Sequence, residues 1–150
     1  MLADWDYLGG YLSHNQKIVL CHGCWDILHI GHIRQFEAAK RLGTFLVVTV
    51  TPDKYVNKGE NRPIFQEQFR AEAVAALRCV DLVAINLWPD AVETIHFVKP
   101  DIYVKGLEYK DRLTAALERE KKAVESLGGK LVFVGHEITH STDIAREICK

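Results

Sequence analysis

Ile18-Val19-Leu20-Cys21-His22-Gly23-Cys24-Trp25-Asp26-Ile27-Leu28-His29-Ile30-Gly31-His32 is the stretch whose reading decides the fold. It opens as an apolar run and breaks at a polar turn. It then continues as Ile33-Arg34-Gln35-Phe36-Glu37-Ala38-Ala39-Lys40-Arg41-Leu42-Gly43, whose apolar residues recur at helical spacing. This predicts a strand over 17–22 and a helix over about 31–42, ended by Gly43. A helix that starts at such a turn points unpaired N–H groups and the positive end of its dipole at one spot. Phosphates bind there. Gly31 lets a ligand come close to the backbone, and the flanking His29 and His32 can hydrogen-bond a phosphate on which charge is building.

Outward from this centre the same alternation repeats. Leu2, Trp5, Leu8 and Leu12 predict a short lead-in helix over 2–14. Phe45-Leu46-Val47-Val48-Thr49-Val50 is a continuous apolar run, as in a strand covered on both faces. A polar loop from Thr51 to Arg62 leads through Pro63 to a helix near 66–78, and Leu82-Val83-Ala84-Ile85 forms the third strand. Pro89-Asp90 opens a helix near 90–98 that Lys99-Pro100 stops. A strand at 102–105, a helix at 112–127 capped by Gly128-Gly129, a strand at 131–134 and a helix at about 142–148 complete the pattern. Five strands alternating with helices predict an α/β chain: a Rossmann-like, doubly wound parallel sheet with helices on both faces, forming a single domain over 1–150. Ligands bind such sheets at the carboxyl ends of the strands, near the point where strand order reverses.

Composition narrows the partners. Nineteen basic residues against twenty acidic ones leave no field to hold a nucleic-acid backbone. No apolar run is long enough to span a bilayer, and Met1-Leu2-Ala3-Asp4-Trp5-Asp6 lacks the basic start of a signal peptide, so a cytoplasmic protein is expected. Cysteines there are reduced thiols. Cys21 and Cys24 form a C-x-x-C, but Cys79 and Cys149 are isolated and supply no second pair, so no metal site is assigned.

Gly23-Cys24-Trp25-Asp26-Ile27-Leu28-His29-Ile30-Gly31-His32 stands where the cytidylyltransferase-like nucleotidyltransferases carry G-x-F-D-x-x-H-x-G-H, and the chain resembles that family from Ile18 to Ile148. Val104-Lys105-Gly106-Leu107-Glu108-Tyr109-Lys110 is similar to the V-K-G-G-D-Y-K of its heptose 1-phosphate adenylyltransferase domains. Arg62-Pro63, Arg70, Val80-Asp81 and Ser141-Thr142 fall at the family's spacing. Glycerol-3-phosphate cytidylyltransferases resemble the chain somewhat less. The departures are Trp25 for Phe, Leu107-Glu108 for Gly-Asp, and His136 in place of the arginine that the glycerol-phosphate enzymes carry before S-T.

The resemblance implies transfer of a nucleotidyl group from a nucleoside triphosphate to a phosphorylated sugar or polyol, with release of pyrophosphate. ADP-heptose-type adenylyl transfer is the first expectation and cytidylyl transfer the alternative. His29, His32 and Lys58 would act on the triphosphate. Gly23, Cys24, Trp25, Gly31, Arg62, Lys105, Gly106, Glu108, Ser141 and Thr142 would bind the nucleotide. Asp26 and Asp53 are read at least equally well as turn-forming residues, Asp81 is read as shaping the turn into the third strand, and His14, His96 and His140 have no assigned role. Mg²⁺ would arrive with the nucleotide, and a homodimer and a companion sugar kinase are expected. A non-catalytic nucleotide sensor is the reading from another class. Intact His29, His32 and Lys58 argue against it.

Overall fold

The computed structural model describes residues 1–135. Its strands are β1 (Ile18–Gly23), β2 (Phe45–Val50), β3 (Leu82–Ile85), β4 (Ile102–Gly106) and β5 (Lys130–Val134). They form one parallel sheet in the order β3-β2-β1-β4-β5. Successive side chains of a strand go to opposite faces, and helices cover both. Helices α2 (Ile30–Lys40) and α3 (Glu67–Ala75) lie on one face, where Phe36, Ala39, Ala71 and Val74 join Val19, Cys21, Leu46, Val48 and Val104 in one core. Helices α1 (Trp5–Leu8), α4 (Val92–Val98) and α5 (Ala115–Ser126) belong to the other, where Leu8, Ile95, Leu117 and Val124 join Leu20, Val47, Leu82 and Tyr103. Burial on both faces is why these strands read as unbroken apolar runs.

The elements fall close to their expected positions, with two corrections. The helix expected over 2–14 is a single turn, Trp5–Leu8, followed by a 3-10 turn at Gly9–Tyr11. Gly9-Gly10 weakens any longer helix. The first residues do something else: Ala3 donates to the Val83 carbonyl at 2.8 Å, and Val83 donates to the Met1 carbonyl at 2.7 Å. The segment thus pairs with β3 and covers an edge that would otherwise stay open. The helix expected over 112–127 starts later, at Ala115, because Thr114 caps it by accepting from the Leu117 N–H. The helix expected at 142–148, with Ser141 and Thr142 at its start, lies outside the described residues.

Strand order reverses at β1, whose neighbours are β2 and β4: Cys21 lies opposite Val48 on one side and Val104 on the other. The carboxyl ends of β1 and β4 therefore open onto the crevice where this architecture binds ligands.

Candidate active site at the β1–β4 crevice

Immediately after β1 the chain makes a sharp turn that Trp25 fixes. Trp25 has φ 52°, a left-handed conformation that costs a non-glycine residue energy unless its surroundings hold it. They do: its indole N–H donates to the Thr49 carbonyl at 3.1 Å, and the ring packs edge-on against Phe36 and His32. The indole also lies over Gly23, where a Cβ would stand 2.8 Å from the ring. Glycine at 23 and an aromatic ring at 25 therefore form one device, and Trp25 is 7 % exposed.

The turn delivers the two histidines to the start of α2. His29 is its N-cap, with Nδ1 accepting from the Gly31 N–H at 3.1 Å. Accepting at Nδ1 leaves the neutral ring's proton on Nε2, which is thereby a donor. The rings of His29 and His32 lie 3.8 Å apart between centroids, tilted by 33°. Burial, then the neighbouring His29 and Lys58, push the His32 pKa down to about 4, so this imidazole is neutral at pH 7. Two half-buried neutral imidazoles at a helix start can donate to a phosphate without themselves needing a counterion.

The loop between β2 and α3 is tied to this turn by two buried charged groups. The Asp26 carboxylate accepts from the backbone N–H groups of Ile64 and Phe65 and pairs with Arg62 at 2.8 Å. Arg70, 1 % exposed, donates to the carbonyls of Cys24, Thr51 and Phe65 and pairs with Asp53 at 2.6 Å. One guanidinium thus holds together the turn after β1, the loop after β2 and the approach to α3. Its planar fork suits that task. Lys58 is exposed on the same loop, and its charge reaches both Cys24 and His32.

The opposite wall comes from β4. The Lys105 ammonium donates to the His22 carbonyl at 3.2 Å, lies 3.5 Å from the Glu120 carboxylate and sits over the rings of Tyr103 and Tyr109. Gly106 is the place where the Glu108 carboxylate folds back, and a Cβ there would collide with it. Beneath them His22 bridges the hydroxyls of Thr49 and Thr51, and complete burial lowers its pKa to about 3.

The structure therefore brings together Gly23, Cys24, Trp25, His29, Gly31, His32, Lys58 and Arg62 on one wall and Lys105, Gly106 and Glu108 on the other. Gly31, expected to let a ligand approach the start of α2, donates its own N–H to His29 Nδ1. Sequence reasoning missed Glu120, which reads as one more charge in Glu118-Arg119-Glu120-Lys121-Lys122 yet is buried, and the clamp role of Arg70. Cys21 is buried with its thiol pushed up to about 12, and burial raises Cys24 as well, so neither is poised as a thiolate. Among the described residues no three His, Cys, Asp or Glu side chains converge as a metal cage, and Asp26 and Asp53 are already engaged by arginines.

A parallel sheet with this order, whose crevice holds a histidine pair at a helix start, defines a Rossmann-like nucleotide-handling domain. The chain belongs to the cytidylyltransferase-like family, whose profile matches residues 20–147. It is 46 % identical over 108 residues to the bifunctional protein HldE of Campylobacter jejuni, covering 71 % of this chain and 23 % of that protein. With the bifunctional protein HldE of Gluconobacter oxydans the identity is 41 % over 124 residues, 81 % of this chain and 25 % of that protein. The chain spans about a quarter of the length of these curated relatives. A lipopolysaccharide core biosynthesis protein from Thermoplasma volcanium superposes with a TM-score of 0.69 at 31 % identity, covering 83 % of this chain and all of that one. Pantothenate synthetase from Thermus thermophilus, at 19 % identity and a TM-score of 0.63, shares the fold over 89 % of this chain and 61 % of its own.

Proposed function

We propose that the chain is a nucleotidyltransferase domain that moves the adenylyl group of ATP to a sugar 1-phosphate, in the manner of ADP-heptose synthesis. The observation that carries this reading is the stacked, half-buried His29–His32 pair at the start of α2, on the carboxyl edge of β1. An acceptor phosphate oxygen attacks the α-phosphorus, the new P–O bond replaces the bond to the β-phosphate oxygen, and pyrophosphate leaves. No covalent intermediate on the protein is needed, so the site works by positioning and charge stabilisation. His29 and His32 donate to oxygens that gain charge in the transition state. Lys58 and Arg62, on the loop between β2 and α3, carry the charge that the leaving pyrophosphate requires. Lys105 and Gly106 bear on the nucleoside from β4, and Ser141 and Thr142 on the distal phosphates.

The described carboxylates do not fit a resident metal. Mg²⁺ would come on the triphosphate, held by phosphate oxygens and water. The HldE relatives support adenylyl rather than cytidylyl transfer, as does the Val104–Lys110 stretch. Their description as bifunctional supports a sugar kinase as the companion activity. No described helix is long and apolar enough to cross a membrane. We place the whole chain, 1–150, in one cytoplasmic nucleotidyltransferase domain that works as a homodimer.

The test is a pyrophosphate-release screen of four triphosphates against phosphorylated sugars and polyols, alongside melting curves with each nucleotide and Mg²⁺. ATP should give turnover with a sugar 1-phosphate and the larger rise in melting temperature. Saturation at a hundred times the dissociation constant adds about 2.7 kcal/mol to the folded state. A larger shift with CTP overturns the adenylyl reading.

A further inference from the structure

Glu120 occupies a position where the pattern of α5 calls for an apolar residue. It shares the buried stripe of that helix with Leu117, Ala123 and Val124, and is 3 % exposed. Three groups converge on its carboxylate. Oε1 accepts from the Ala91 N–H at 3.0 Å, where α4 begins. Oε2 accepts from the Tyr103 hydroxyl at 2.8 Å and lies 3.5 Å from the Lys105 ammonium. Taking a carboxylate and an ammonium out of water is costly, and an apolar pair of similar volume often gives a fold at least as stable. Folding alone therefore gives little reason for this pair.

Its placement gives a better one. Tyr103 and Lys105 project from the same face of β4, and the Lys105 side chain, 12 % exposed, ends beside the His22 carbonyl at the crevice. A lysine on a four-carbon stem has no preferred end-point of its own. Here the Glu120 carboxylate and the two tyrosine rings fix that end-point between β1 and β4.

We propose that Glu120 is a positioning residue of the nucleotide site: from α5 it holds the Lys105 ammonium on the crevice edge and ties it to the start of α4. The inference rests on the nucleotidyl-transfer reading above. Lys105 is the group that touches the nucleotide, and Glu120 acts only through it.

A double-substitution cycle on the full chain tests this, reading ATP–Mg²⁺ affinity by calorimetry and the nucleotide-free melting temperature. Glu120→Gln keeps the shape and an acceptor for Ala91 but loses the charge that holds Lys105. It should weaken ATP–Mg²⁺ binding by about tenfold, the loss carried by one charge-assisted hydrogen bond. Lys105→Met should weaken it by at least as much. Their combination should bind no worse than Lys105→Met alone, because the carboxylate has nothing left to position. Tyr103→Phe, which leaves the ion pair, should keep nucleotide affinity while lowering the melting temperature. Unchanged affinity in Glu120→Gln, or losses that multiply in the double variant, overturn the inference while leaving the functional reading intact. A wild-type chain that binds neither ATP nor CTP overturns both. Where Glu120→Gln does not fold, Glu120→Asp takes its place: its shorter reach should weaken binding, and unchanged affinity overturns the inference.

Discussion

Replacing Arg70 by methionine, a side chain of similar length, removes a buried cation and leaves its four oxygen partners behind. Three are backbone carbonyls, at Cys24, Thr51 and Phe65, and the fourth is the Asp53 carboxylate. A hydrogen bond from a charged donor contributes about 1.5–3 kcal/mol. The four cannot simply be added, since they share one side chain and Asp53 is partly in water, with 37 % of its side chain exposed. Breaking a buried ion pair by deleting one partner costs about 3–5 kcal/mol, which sets the expected loss. For a chain of this size that is a fall of about 6–20 °C in melting temperature.

Arg70→Lys sharpens the test. An ammonium keeps the charge opposite Asp53 but cannot reach three carbonyls in the plane of a fork, so at least about 2 kcal/mol should still be lost. Urea unfolding of the two variants and the wild type, followed by tryptophan fluorescence and far-ultraviolet dichroism together, measures both. A lysine variant within about 0.5 kcal/mol of wild type would refute the argument, because the fork geometry would then carry nothing. A variant that kept its stability but lost nucleotide affinity would place Arg70 on the ligand instead of in the frame.

His29→Ala and His32→Ala should each cut turnover by about a hundredfold or more, the usual loss of one transition-state donor, with the melting temperature of His32→Ala little changed; near-normal turnover at saturation removes the histidines from the mechanism. Acid should destabilise the chain through its buried imidazoles. His22 and His32 titrate near 3 and 4 when folded against about 6.5 unfolded, so the unfolded chain binds protons first and stability, complete above about 6.5, falls as pH drops from 6.5 towards 3. His22→Asn should flatten that dependence in denaturation curves taken from pH 7 to 4. Activity should require added Mg²⁺, and elemental analysis of purified protein should find no stoichiometric zinc; one tightly held zinc per chain would revive the Cys21–Cys24 pair.

Apolar runs at 45–50 and 82–85 match β2 and β3 residue for residue, because strands buried on both faces stay apolar up to their ends, Thr49 inside β2 being the one polar residue. The lead-in segment departs from its expected form for a complementary reason. Its apolar spacing is helical, but the decisive contact is backbone pairing with Val83, eighty residues away, which no local pattern records. The histidine motif reads as a phosphate site with both imidazoles and the helix start as donors, and the fold adds what no local pattern records, that the Gly31 N–H caps onto His29 Nδ1. Arg70 and Glu120 were opaque for one shared reason. A charged residue on a helix is ordinarily solvated, and only the fold shows that both lie on buried stripes, Arg70 under the loops after β1 and β2 and Glu120 against β4 and the start of α4.

On the proposed reading, those two buried charges explain how a chain of nearly balanced charge builds a site for a polyanion. On the α2–α3 face Arg70, paired with Asp53, binds the loops together and so leaves the exposed Lys58 on a tethered segment. On the α4–α5 face Glu120 holds Lys105 at the crevice edge. Each side thus uses a compensated buried pair to place an uncompensated or partly exposed cation. Fixed donors and charges stabilise a transition state most when they need not reorganise as charge develops. Two such walls, the first carrying the histidine pair at the start of α2, would supply that without a large net charge. A rigid frame of this kind predicts that variants of Asp26, which ties Arg62 and the Ile64–Phe65 backbone to the turn after β1, act mainly on turnover. Asp26→Asn keeps an acceptor but loses the ion pair, so it should lower kcat by about tenfold or more while changing the affinity for nucleotide far less. Equal losses in kcat and in nucleotide affinity would show instead that the loop serves binding as a whole, and the division between frame and cation would fail.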